Sequence, residues 1–258
     1  MPDDAANPTP APNLFPPKRD EPVTAEVRNT LLGQRGAIIW LTGLSGAGKS
    51  TLSEALEQRL LRAGILPVLL DGDELRTGLC VGLGFSEAER KENIRRAAEA
   101  ALLVASAGAV VIVALISPYR ADRDHARARG AMKGIPFAEV YINAPLAECE
   151  RRDPKHLYAR ARAGQIPNFT GISSPYEPPL SPTLELHTEK ESVEDCVQKL
   201  EALAVSLARP DRRARYASKL VDPQTVLEIR RKPPGQQRWQ VFKSTFRSVI
   251  NSIFRKLG

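Results

Sequence analysis

Apolar residues in this chain come in short unbroken runs, separated by stretches in which they recur every three or four positions. Residues 37–42, "AIIWLT", form one such run and predict a strand buried on both faces. Leu52, Leu56 and Leu60 then fall four apart, on one face of a helix that Gly64 ends. "LPVLLDGD" (66–73) reads as a second strand, and "AVVIVALISP" (109–118), apolar throughout, as a third. Between them, "SEAERKENIRRAAEAALLVASAG" (86–108) reads as a long helix, opened by a capping box of Ser86 with Glu89 and closed by Gly108. "YRADRDHARARGAM" (119–132) is helical, "FAEVYINAP" (137–145) a fourth strand, and "PLAECERRDPKHLYARARAG" (145–164) helical with a break at Pro154. After the proline-bearing loop 165–182 come a fifth strand, "LELHTE" (184–189), and a last helix at 192–208; a short helix at 23–33 precedes the first strand. Strands alternating with helices predict an α/β fold: a three-layer sandwich with a parallel sheet of about five strands.

Composition changes this picture mainly at the two ends. A chain of 258 residues with 42% hydrophobic content has ample material for one α/β domain with tails. Residues 1–22 are acidic and proline-rich where a secretory signal is basic and then apolar, so they read as a disordered lead-in. No run reaches the roughly 18 apolar residues that span a bilayer, which points to the cytoplasm. The net charge of +7 is unevenly spread: residues 209–258 carry +10 and the rest of the chain −3. A uniformly basic nucleic-acid surface is therefore not indicated. Cys80, Cys149 and Cys196 are few and far apart, and His125, His156 and His187 do not gather with them, which argues for reduced thiols over a disulfide or zinc site.

The chemistry starts at "GLSGAGKS" (43–50), a full match to the G-x4-G-K-[ST] phosphate loop, set between a buried strand and an amphipathic helix as that loop requires. Gly43, Leu44, Ser45, Gly46, Ala47, Gly48, Lys49, Ser50 and Thr51 would wrap ATP phosphates with backbone N–H groups and the helix N-terminus. Lys49 would reach the β- and γ-phosphates, and the Ser50 hydroxyl would ligate Mg²⁺. The fold expected is therefore of the P-loop NTPase type. No NKxD base-reading motif occurs, and the third strand ends without the aspartate that many ATPases place there. Asp71 and Asp73, two apart on the second strand, would project to the same side at the strand's carboxyl end. One would hold Mg²⁺ and the other would orient or deprotonate an acceptor hydroxyl; the plain alternative is an exposed "DGD" turn.

"GLSGAGKST", "LLDGDELRTGL", "LGFSEAERKENIRR", "LISPYRADRD", "RDPKHLYARARAG", "NFTGISSPYEPP" and "SVEDCV" follow one another in the order and spacing of the adenylyl-sulfate kinases, and the chain resembles that family over about residues 25–205. The resemblance implies a homodimeric enzyme of sulfate activation. It would move the ATP γ-phosphoryl, with Mg²⁺, to the 3′-hydroxyl of adenylyl sulfate. It makes Asp71, Asp73 and Lys49 the catalytic residues and gives Mg²⁺ to Ser50 and Asp73. Adenylyl sulfate would meet Asp71, Arg76, Phe85, Arg90, Asn93, Ile116, Ser117, Arg120, Lys155 and Phe169, with Phe85 and Phe169 sandwiching adenine. Ser117 also matches a serine phosphorylated in bacterial members. Arg95 and Arg96 are read as surface or salt-bridge residues; Arg151, Arg160 and Arg162 flank the lid. Three positions depart from the family pattern: Glu74 stands for a common Asn, Thr77 for an aromatic or His, and His156 for a Gly at the lid hinge.

The resemblance divides the chain into a lead-in (1–22), a kinase domain (23–208), a basic linker (209–237) and a basic C-terminal segment (238–258). In that segment Trp239, Phe242, Phe246, Val249, Ile250, Ile253, Phe254 and Leu257 make an apolar stripe at helical spacing, with Arg238, Lys243, Arg247, Arg255 and Lys256 on the polar side and no acid. An interfacial helix on the inner membrane face, a helix docked on protein, and a nucleic-acid arm all fit that pattern. For function, the rivals are a P-loop kinase for another small hydroxylated metabolite and a non-catalytic nucleotide-sensing module.

Overall fold

The computed structural model describes residues 23–208; the N-terminal lead-in, the basic linker and the C-terminal segment lie outside the described residues. The chain runs α1 (Ala25–Leu32), β1 (Ala37–Thr42), α2 (Lys49–Arg62), β2 (Pro67–Asp71), α3 (Gly72–Thr77), α4 (Glu87–Ser106), β3 (Val110–Ala114), α5 (Arg120–Met132), β4 (Phe137–Asn143), α6 (Leu146–Arg152), α7 (Leu157–Arg162), β5 (Leu184–His187) and α8 (Val193–Ala208). The strands form one all-parallel sheet in the order β2-β3-β1-β4-β5.

Alternation along β1 divides the interior in two. Ile39 and Leu41 face Leu52, Leu56 and Leu60 of α2 and Leu200 of α8. Ile38 and Trp40 face the other way, onto Ile94, Ala97, Ala101 and Leu102 of α4 and Ala126 of α5. Every residue of β1 and β3 is buried, as expected of central parallel strands covered on both sides. This is the three-layer sandwich. The capping box that opens α4 is present, with the Ser86 side chain on the Glu89 N–H and the Glu89 carboxylate on the Ser86 N–H. Among the described residues no helix is long and apolar enough to cross a membrane.

Two expected strands are shorter than their apolar runs. β2 stops at Asp71, and Asp73 sits in the first turn of α3, so the two aspartates do not share one face of a strand. The Asp71 carboxylate accepts the Asp73 N–H (2.9 Å) and caps that helix, a local bond that competes with strand continuation. β3 stops at Ala114; beyond it Ser117 has φ +40°, which no strand accommodates. The break near Pro154 separates α6 from α7, and the Asp153 carboxylate bridges it by accepting the N–H groups of Leu157, Tyr158 and Ala159. Burial works to raise the Asp153 pKa, but these three donors outweigh it and hold it below its ordinary value.

Just before β1, Gly36 lies so close to α4 that an added Cβ would stand 1.8 Å from the Ala105 carbonyl oxygen. Gly36→Ala should therefore lower unfolding free energy by about 3 kcal/mol or more in denaturant titration. Met132→Ala, at a site 77% exposed, should stay within about 0.5 kcal/mol. Equal effects would show that the β1–α4 approach does not limit stability.

Candidate active site

The loop between β1 and α2 is shaped by close backbone approach. Gly43 has φ +155° and Gly46 φ +74°; a Cβ on either would meet the Ile142 or Cys149 carbonyl oxygen at 2.4 or 2.9 Å. Lys49, the first residue of α2, folds back across the loop and donates to the carbonyls of Gly43 (2.9 Å) and Leu44 (2.7 Å). Part of its surface still faces the mouth of the loop, but the enclosing protein strips its hydration. Burial therefore pulls the ammonium pKa down to about 8, against the raising influence of Cys149, Asp71 and Asp73.

Three side chains absent from the sequence reading hold this loop from behind. The Tyr158 hydroxyl donates to the Ser45 carbonyl (3.0 Å), Arg152 Nη1 to the Gly46 carbonyl (3.3 Å), and Thr188 Oγ1 to the Ala47 carbonyl (2.8 Å). Arg152 also grips Thr188 through its hydroxyl (3.1 Å) and carbonyl (2.8 Å). Arg152 and Tyr158 both fall in the "RDPKHLYARARAG" block but carry no sign of this use; the loop atoms that all three hold are backbone carbonyls far along the chain, which no local pattern reveals.

In front of the loop, Ser50 Oγ donates to Asp71 Oδ2 (3.2 Å), while Lys155, on the α6–α7 connection, pairs with Asp73. The phosphate loop, the β2 tip and the α6–α7 connection thus converge on two carboxylates. The oxygen donors Ser50 Oγ and Asp71 Oδ2 suit a hard cation, and Mg²⁺ ordinarily completes its shell with phosphates and water. They fit that role, although among the described residues no cluster of three or more His, Cys, Asp or Glu could hold a metal unaided.

Beside these carboxylates, α3 and α4 bring together the residues expected to meet adenylyl sulfate. Arg76 Nη1 donates to the Leu83 and Gly84 carbonyls (3.0 and 3.1 Å), and its guanidinium lies 4.3 Å from the centre of the Phe85 ring. Arg90, buried, donates to the carbonyls of Phe85 (2.8 Å) and Asn168 (2.7 Å), tying α4 to the 165–182 loop. One turn on, Asn93 is 4% exposed and its Nδ2 has no protein partner, and neither has the Thr170 hydroxyl, so each is open to a water or a polar ligand. Phe85 is 51% exposed, whereas Phe169 is buried and stacks T-shaped on Tyr158 at 5.0 Å, so the two rings differ in access. Thr42 Oγ1 donates to the Ile116 carbonyl (2.8 Å), and Arg120 Nε donates to the Pro178 carbonyl (2.9 Å). Ser117 is 1% exposed and its hydroxyl accepts the Trp40 indole N–H (3.1 Å), so a kinase reaching it would first have to break that contact. Arg95 and Arg96 pair with Glu92, Arg151 with Glu148 and Arg162 with Glu150. His156, standing for a hinge glycine, has φ +54°. The three cysteines are buried and free, and burial raises each thiol.

A parallel sheet whose central strand feeds a glycine loop, a lysine on backbone carbonyls and a helix-borne serine beside a carboxylate defines a P-loop nucleoside-triphosphate-binding protein. The family model for adenylylsulphate kinase matches residues 35–187, and the chain belongs to that family. A probable adenylyl-sulfate kinase of Halalkalibacterium halodurans is 51% identical over 180 residues, covering 70% of this chain and 88% of that one. The adenylyl-sulfate kinase of Citrobacter koseri is 55% identical over 168 residues, covering 65% and 83%. The Mycobacterium tuberculosis APS kinase, solved with AMPPNP and APS, superposes with a TM-score of 0.64 at 49% identity over 66% of this chain and 97% of that one.

Because Lys49 titrates near pH 8 and a bound phosphate raises its pKa, nucleotide binding should draw in a proton above that pH. The Kd of AMPPNP by calorimetry should be flat below about pH 7.5 and then rise, approaching tenfold per pH unit. Lys49→Arg, which stays charged, should flatten the profile. A wild-type profile level to pH 9.5 would mean that Lys49 keeps its proton throughout.

Proposed function

We propose that this protein transfers the γ-phosphoryl of MgATP to the 3′-hydroxyl of adenylyl sulfate, giving 3′-phosphoadenylyl sulfate and ADP. The observation that carries the reading is the meeting of Ser50, Asp71, Asp73 and Lys155 opposite a wall with a buried, unpartnered Asn93 amide, in a chain of this family. Phosphoryl transfer of this kind needs little covalent help from protein, so positioning and charge stabilisation supply the rate. Gly43 to Thr51 and the α2 N-terminus hold the ATP phosphates, with Lys49 moving from its carbonyls to the phosphate oxygens.

Ser50 already meets Asp71, so we give Mg²⁺ to that pair in place of Ser50 with Asp73. Bound there, Mg²⁺ would supply positive charge to the β- and γ-phosphate oxygens. Asp73 then faces the acceptor and takes the proton of the 3′-hydroxyl, with Lys155 orienting it. Arg76, Arg90 and Asn93 take the phosphosulfate and ribose, matching guanidinium forks to anionic oxygens. Phe85 offers adenine an accessible ring once Arg76 shifts to the phosphosulfate, and Phe169 closes the far side. Ile116, Ser117 and Arg120 line the pocket through the 116–120 backbone. Glu74 adds negative charge beside this site, where the family commonly has Asn.

We place the enzyme in the cytoplasm as a homodimer serving sulfate activation. Residues 238–258 attach it to an anionic membrane face or a protein partner.

ATP turnover should be stimulated by adenylyl sulfate and by no other small hydroxylated metabolite tested. Asp73→Asn should lower kcat by about 10²- to 10⁴-fold with little change in AMPPNP affinity. Stimulation by a different acceptor would give the protein to another metabolite, and nucleotide binding without turnover would make it a sensing module.

The tail is tested separately. Full-length protein should co-sediment with phosphatidylserine vesicles and protein ending at residue 208 should not. Equal sedimentation removes the membrane reading and leaves protein docking.

A further inference from the structure

Two loop segments, 116–120, set above on the acceptor pocket, and 176–178, are joined by a buried charge. Arg123 of α5 is 1% exposed, and its carboxylate partner among the described residues, Glu139 of β4, is 3% exposed. Nε donates to Glu139 Oε1 (2.5 Å), Nη1 to the Ser117 carbonyl (2.7 Å) and Nη2 to the Glu177 carbonyl (2.7 Å). The second Glu139 oxygen takes Arg127. One planar fork thus binds a strand carboxylate and two backbone carbonyls from loops sixty residues apart in sequence.

The same two segments are laced together above the guanidinium. The Glu177 N–H donates to the Pro118 carbonyl (2.9 Å), and the Arg120 N–H to Glu177 Oε2 (2.8 Å). Tyr176 sets its hydroxyl 3.0 Å from Thr42 Oγ1, which holds the Ile116 carbonyl, and its ring centre lies 5.9 Å from the Arg123 guanidinium. Ser117, the residue whose carbonyl Arg123 grips, has φ +40°, a conformation that a serine keeps only when its surroundings enforce it. A buried ion pair is a poor source of net stability, because desolvation offsets the attraction. Its value here lies in geometry: a lysine's three donors sit on one nitrogen, which could not reach acceptors spread over Nε, Nη1 and Nη2 of a planar fork.

We propose that Arg123, anchored by Glu139, is a positioning residue that holds the 116–120 wall of the acceptor pocket by tying it to the 176–178 segment behind it, and so tunes affinity for adenylyl sulfate without touching it. This rests on the placement of the acceptor given under Proposed function. Arg123→Lys keeps the buried charge but frees at least one carbonyl. It should raise KM for adenylyl sulfate on the order of tenfold or more, while KM for ATP changes less than about twofold. The double variant Arg123→Met with Glu139→Gln should show the same split. A role confined to stability predicts a lower melting temperature with both KM values unchanged, and that outcome, or an equal rise in both, overturns the proposal.

Hydrogen exchange on the wild-type enzyme gives a second test that needs no variant to fold. Adenylyl sulfate should slow exchange in residues 116–120 and 176–178 together, and AMPPNP alone should not; protection of one segment without the other overturns the coupling. If the wild-type enzyme turns over no adenylyl sulfate at all, it is the underlying reading that fails, whatever the variants do.

Discussion

The structure depends on one constraint: a loop of backbone must curl tightly enough to offer its N–H groups to phosphate, and something must then hold the carbonyls left pointing outward. Lys49 takes those of Gly43 and Leu44 from the front, and Tyr158, Arg152 and Thr188 take those of Ser45, Gly46 and Ala47 from behind. Every carbonyl from Gly43 to Ala47 therefore has a named partner. A loop so braced loses little freedom when nucleotide binds, which is how a preorganised site keeps its binding energy for the reacting groups.

The same economy governs α3, α4 and the loops packed against them. Arg76, Arg90, Arg120 and Arg123 all donate to backbone carbonyls, of Leu83 and Gly84, of Phe85 and Asn168, of Pro178, and of Ser117 and Glu177. Arg76, Arg90 and Arg120, expected from the sequence to meet the substrate, are thus already at work holding backbone in place. Arg76, half-buried over Phe85, can turn to a ligand; Arg123, 1% exposed with its fork fully engaged, cannot. The Lys155–Asp73 pair belongs to neither group: exposed on both sides, it adds little stability.

Much of this was legible in the order of the residues. Leu52, Leu56 and Leu60, the capping box of Ser86 and Glu89, and the unbroken β1 and β3 runs all gave elements that the structure contains. The phosphate loop could be located to the residue because its signal is local: glycines, a lysine and a serine at fixed spacing between a strand and a helix. Asp73 is expected on a strand and lies on a helix, because an apolar run says where a strand can lie and not where it stops. The stop comes from Asp71 capping α3, a hydrogen bond that outcompetes one more residue of extension. Arg152, Tyr158, Thr188 and the Arg123–Glu139 pair went unseen for another reason, since their partners lie far away along the chain and most are backbone atoms of no particular sequence.

What the order of residues determined by itself, then, is everything that obeys a short period or a fixed spacing: the alternation of buried strands and amphipathic helices, the sheet class, and the phosphate-binding turn. What only the tertiary structure decided is which carboxylate meets Ser50, which aromatic ring stays accessible, and which arginines are free to meet a ligand. Those outcomes turn on burial and on contacts between distant segments. A side chain's chemistry is written in its identity, but its availability is set by the neighbours that folding brings to it.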